Sequence, residues 1–131
     1  MKKVGFILFL VLMLNVPVMA FAADNTKGEI KFEQTIYDFG NIKEDGGKVS
    51  HEFVFKNEGT EPLKILEARA ECGCTTPEYP KEEIAPGEQG IVKVTYNPLG
   101  RPGGFTKVVR LKCTGNPGKI NLKIRGTVTP K

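Results

Sequence analysis

Along the chain, apolar and polar residues alternate in short runs, and the runs end at glycine, proline or asparagine. Val49, His51, Phe53 and Phe55 fall in one phase of period two, while Ser50, Glu52 and Lys56 share the other with Val54. This is the pattern of a strand with one face turned to a core. Val92, Val94 and Tyr96 repeat it over residues 91–96. Phe105, Lys107, Val109, Leu111 and Cys113 repeat it over 105–113. Over 119–128, Ile120, Leu122 and Ile124 read as inward, and Lys119, Asn121, Lys123 and Arg125 as outward. Shorter alternating stretches occupy 30–33 and 35–39, the second stopping at Gly40. The run 63–70 is out of phase, with Leu63 and Ile65 on one face and Leu66 and Ala68 on the other. Such a run needs either burial on both faces or a bulge that shifts the register. A short strand is also expected near Tyr79.

The punctuation between runs is turn chemistry: Glu44-Asp45-Gly46-Gly47, Asn57-Glu58-Gly59-Thr60, Ala85-Pro86-Gly87 and Gly115-Asn116-Pro117-Gly118. The stretch 97–104 is built almost wholly of breakers. Within it, Gly100 to Gly104 lacks the Lys-Ser/Thr of a phosphate loop and reads as a plain hairpin loop. No window carries a helical period. The fold class is therefore all-β, a single immunoglobulin-like β-sandwich of seven to eight strands. Trp is absent and no two Cys sit on core strands at the antibody spacing, so this is not an antibody-type domain.

The first segment has a different pattern. Lys2 and Lys3 precede an almost unbroken apolar run over 4–14, then Asn15, Pro17 and the small-residue site Ala20-Phe21-Ala22. This predicts a signal peptide over 1–22. The apolar run is shorter than the roughly 20 residues of a spanning helix, so no transmembrane segment is expected after cleavage. No Cys stands at the cleavage site to carry a lipid. A flexible lead-in over 23–29 and a domain over 30–131 complete the expected organisation, and the expected location is the periplasm or the exterior. The formal charge is +4, with Lys and Arg dispersed among Asp and Glu. That is a solvated surface with no nucleic-acid footprint.

Candidate chemistry centres on Cys72-Gly73-Cys74-Thr75. In a sandwich of this order, the loops at 41–48, 72–77 and 97–104 gather at one end, close to the start of the strand that carries His51. Cys113 ends a strand at the other end, roughly 25 Å away at about 3.3 Å per residue. A disulfide needs Cα atoms within about 7 Å, so Cys113 is not expected to pair with Cys72 or Cys74. Three readings of the pair stand. One is a local disulfide, easily reduced because its ring is so small. Another is a Cu(I) site on Cys72, Cys74 and His51, since thiolates suit that ion. The last is a pair of small thiols filling a tight corner. No cofactor is expected beyond that Cu(I) alternative. Arg69, Arg101 and Lys107 lie near enough in sequence to lower a thiol pKa. His51, the only His, is expected as a hydrogen-bonded core residue. Ser50 is the only Ser and lies on the opposite face, so no Ser-His-Asp set forms. Glu44-Asp45 and Glu82-Glu83 read as solvated turn residues, and Phe53, Phe55 and Phe105 as core.

Several stretches together carry a family resemblance: Tyr37-Asp38-Phe39-Gly40, His51 through Gly59, Glu61-Pro62-Leu63, Cys72-Gly73-Cys74-Thr75, Ile84 through Glu88, Gly100 through Phe105, and Ile124 through Val128. The chain resembles the bacterial family filed as domain of unknown function 1573, in the form exported by Bacteroidetes-type bacteria. Cys113 departs from the pattern, standing where members usually carry a Ser-Asn pair. The resemblance implies a PapD-like or major-sperm-protein-like sandwich and a protein-binding role. It brings no functional residues. The function expected is thus an exported, non-catalytic binding or structural module of the cell envelope, with another envelope protein as partner. A thiol-redox or Cu(I)-handling role through Cys72 and Cys74 is the alternative.

Overall fold

The computed structural model describes residues 28–131. The expected signal peptide lies outside them, as does the expected lead-in up to residue 27. Eight strands follow one another: β1 (Ile30–Phe32), β2 (Ile36–Lys43), β3 (Val49–Asn57), β4 (Ile65–Ala70), β5 (Thr75–Glu78), β6 (Gln89–Tyr96), β7 (Gly103–Cys113) and β8 (Lys119–Thr129). They form two four-stranded sheets, in the orders β1-β3-β6-β5 and β2-β8-β7-β4. Every pairing is antiparallel except that of β2 with β8. No helix among the described residues is long and apolar enough to cross a membrane.

Alternation decides which side chains meet between the sheets. Phe53 and Phe55 of β3 and Val92, Val94 and Tyr96 of β6 are buried from one side. Val109 and Leu111 of β7 and Leu122, Ile124 and Val128 of β8 are buried from the other. Burying a side chain of this size contributes roughly 1.5–3 kcal/mol. Two aromatic stacks bridge the layers. Tyr37 of β2 lies on His51 of β3 with centroids 3.7 Å apart, and Tyr96 of β6 lies on Phe105 of β7 at 4.0 Å. Phe105 is only partly buried but packs against the core.

The out-of-phase run resolves as a bulge. In β4, Ile65 pairs with Cys113 and Glu67 with Lys112, so Leu66 is the extra residue. Leu66 is 56% exposed, whereas Ile65 is buried and Ala68 and Ala70 pack on the core. The strand expected near Tyr79 lies slightly earlier, at β5. Pro77 sits within it, where an edge strand tolerates the missing N–H.

Three sequence-based expectations change. The stretch 97–102 is no hairpin loop, because β6 and β7 belong to different sheets and the chain crosses between them. Glu44 is not solvated: it is buried at 9% exposure, and its Oε2 accepts from the N–H of Gly100 at 3.3 Å. Finally, Gly28 and Glu29 are bound into the fold rather than mobile. The N–H of Asn116 donates to Gly28 O at 2.8 Å, and the N–H of Glu29 donates to Asn57 Oδ1 at 3.1 Å.

Candidate functional site

Cys72 and Cys74 stand where the chain leaves one sheet and enters the other, between β4 and β5. They are joined by a disulfide across a Cα separation of 5.3 Å. The link encloses one residue, so it shapes the crossing without tying distant parts of the chain. A tight turn supports it: the N–H of Thr75 donates to Cys72 O at 3.2 Å, and the N–H of Cys74 donates to Cys72 Sγ at 3.1 Å. Cys74 O accepts from the N–H of Asn97 at 2.9 Å, which pins the site to the crossing after β6. Thr75 Oγ1 lies 3.6 Å from Cys74 Sγ.

The two cysteine residues differ in exposure. Cys74 and Thr75 are buried, at 7% and 4%, while Cys72 is half-buried against the core. Gly73 between them does not adopt a positive φ. What it supplies is space, since a Cβ there would meet nothing within 4 Å.

The three loops gather as expected. Thr75, Tyr96 and Val49 lie level across β5, β6 and β3. The Gly100 N–H reaches Glu44, and the Asn97 N–H reaches Cys74. Cys113 stands apart and unbonded. It is level with Ile65 at the far end of β4, and its Sγ donates to Pro117 O at 3.1 Å. Burial pushes its thiol pKa up, more than a backbone hydrogen bond from Gly115 pulls it down.

His51 is not brought to the cysteines. Its strand is two places from β5 in the sheet, about 10 Å at the usual strand spacing. Its ring is held by Tyr37 on one side and by the edge-on Phe53 at 4.7 Å. Ring packing thus takes the place of the expected hydrogen bonding. Burial lowers its pKa, with the nearby Glu52 carboxylate acting weakly the other way. Among the described residues, no three His, Cys, Asp or Glu side chains are grouped to hold a metal ion.

The cations named from sequence take other roles. Arg69 pairs with Glu67 at 2.9 Å on the outer face. Arg101 and Lys107 line a polar depression with Tyr96. There the Arg101 charge partly offsets the rise that burial imposes on the Tyr96 hydroxyl. Asn57 was read only as the start of a turn, yet it is fully buried and makes four hydrogen bonds. Its Oδ1 accepts from Glu29 and Gly59 at 3.1 and 2.9 Å, and its Nδ2 donates to Glu61 O and Ile84 O, both at 2.9 Å.

The fold is similar to several solved structures, all distant in sequence. A protein of unknown function from Porphyromonas gingivalis is 16% identical with a TM-score of 0.67, over 78% of this chain and 47% of that one. This chain therefore spans about half the length of that protein. A PapD-like domain of human CEP192 is 13% identical with a TM-score of 0.63, over 81% of this chain and 87% of that one. The YadV chaperone is 16% identical with a TM-score of 0.51, over 78% and 52%. Likenesses at this identity establish the PapD-like, immunoglobulin-like fold and nothing further. No curated protein matches the chain. The family match is decisive: through residues 30–128, the chain belongs to the family of proteins of unknown function DUF1573.

Proposed function

We propose that this protein is an exported, non-catalytic binding module of the bacterial envelope that takes an extended segment of another envelope protein along an open sheet edge. The observation that carries the reading is β2. Among the described residues it is the longest edge strand, eight residues, paired only with β8, and its Ile36 is 50% exposed. An unpaired edge offers main-chain donors and acceptors to an incoming strand. The other edges are shorter: β1 has three residues, β5 four including Pro77, and β4 six with the Leu66 bulge, while β2 has its own register shift between Asp38 and Asn41 and runs on past it to Lys43. A photo-crosslinker at Ile36 in intact cells should yield an adduct of one defined mass. A crosslinker at Ile91, on the outer face of the other sheet, should not. Equal yields at the two positions, or none at Ile36, would count against β2 as the docking edge.

The Cys72–Cys74 bond favours a second reading, thiol–disulfide exchange. A link that encloses one residue adds little to stability, whereas Cys72, only half-buried at a loop cluster, is open to approach by another thiol. Copper handling by the same pair would require the reduced form, since Cu(I) is bound by thiolates. Thiol counting on the folded chain, before and after a dithiol reductant, tests the redox reading.

A further inference from the structure

Building on the redox reading of Cys72 and Cys74, we infer that the disulfide is entered at Cys72 and opens toward Cys74, with an external dithiol as co-reactant. Access selects the sulfur. Cys72 is half-buried, Cys74 is 7% exposed, and the space over Gly73 is open. Cys74 is further enclosed by the tie from Asn97 to its carbonyl and by buried Thr75.

A thiolate of the dithiol attacks Cys72 Sγ. A sulfur–sulfur bond forms between them, the Cys72–Cys74 bond breaks, and the electron pair departs on Cys74 Sγ. Thr75 Oγ1, 3.6 Å away, is placed to donate its hydroxyl to the thiolate so formed. The second sulfur of the dithiol, deprotonated in turn, attacks the dithiol sulfur of the mixed disulfide and expels Cys72 as a thiolate. The N–H of Cys74 is already directed at that sulfur from 3.1 Å. The dithiol leaves oxidised by two electrons. This chain gains those electrons, together with the two protons that the dithiol released.

Each sulfur therefore has one donor for the charge it acquires. Hydrogen bonds to a thiolate lower its pKa, and a lower pKa makes a better leaving group. Thr75 acts through Cys74 and is a positioning residue.

The test uses the whole chain carrying Cys113→Ala, so that only this pair is read. Dithiothreitol should open the bond while circular dichroism shows the fold intact. Cys72, left alone in Cys74→Ser, should react with hydroxyethyl disulfide about ten-fold faster than Cys74 left alone in Cys72→Ser, following thiol access and thiolate fraction. On the intact pair, Thr75→Val should slow reduction severalfold and Thr75→Ser should restore it. The Thr75 variants decide the matter even if a single-cysteine chain misfolds. Equal reactivity, a faster Cys74 or an indifferent Thr75→Val overturns the entry at Cys72 and leaves the redox reading standing. A bond that dithiothreitol leaves closed in the folded chain removes the redox reading itself.

Discussion

Asn57 joins four backbone groups that have no other common partner. Asn57→Ala should cost about 2–4 kcal/mol in urea unfolding, because all four hydrogen bonds of a fully buried amide are lost at once. Asn57→Asp should cost at least as much, since it sets an acceptor against the carbonyls of Glu61 and Ile84. His51 calls for a pH measurement. Burial lowers its folded-state pKa below the ordinary 6.5. Above that value both folded and unfolded chains hold it neutral, and the stability is complete. As pH falls through 6.5 the unfolded chain takes the proton first, so stability declines until the folded-state pKa is passed. Urea midpoints between pH 8 and 5 should show that decline, and His51→Phe should flatten it. Neither residue was legible in this role from sequence. Asn57 donates to the carbonyl of Ile84, a residue 27 positions away, and a polar residue at a strand end ordinarily signals a turn. His51 was placed on the correct face by the period of two, but its stacking partner Tyr37 comes from the other sheet.

Among the elements, β4 shows how far periodicity reaches. Its phase break offered two explanations, and cross-strand register chooses the bulge at Leu66. Leu66→Lys should therefore change stability by less than about 0.5 kcal/mol, as an exposed substitution. Ile65→Ala should cost about 2–5 kcal/mol from the cavity it leaves. Thermal or urea unfolding of the two variants side by side checks the contrast. Gly90 of β6 makes the same point from the other direction. It pairs with Phe55, whose ring occupies the place a Cβ would take. Gly90→Ala should displace that ring and lose stability, although the strand read from the sequence begins only at residue 91 and leaves Gly90 out. The crossing that carries the disulfide is a softer element. Replacing both Cys72 and Cys74 by Ser should cost only about 1–2 kcal/mol by loop-closure entropy. A loss well above that would mean that the bond is structural.

For the molecule as a whole, the alternation of apolar and polar residues was enough to name an all-β sandwich, most strand bounds and the gathering of three loops at one end. The crossing at 97–102 was misread because turn residues alone do not say whether the next strand joins the same sheet. The disulfide stood in the sequence as one of three readings, since two Cys one residue apart also suit a metal or a tight corner. The open edge at β2 was not legible at all. An edge is defined by the strand that is missing beside it, which no local pattern records.

The parallel pairing of β2 with β8 bears on how the chain acquires its shape. These strands come from opposite ends of the domain, and β8 is also the partner of β7. β7 has β4 beside it from the start, but β2 has no in-sheet neighbour among the described residues until residues 119–129 are present. Loops this long are closed late, and folding dominated by such distant pairings is slow. Synthesis proceeds from the N-terminus, so the β2-β8-β7-β4 sheet cannot be assembled while the last strand is still being made. A chain ended at Gly118 should remain unfolded by circular dichroism, and a synthetic peptide covering 119–131 should restore the fold when added in trans. Until that strand arrives the second sheet has no centre, since β8 is the one strand that joins β2 to β7.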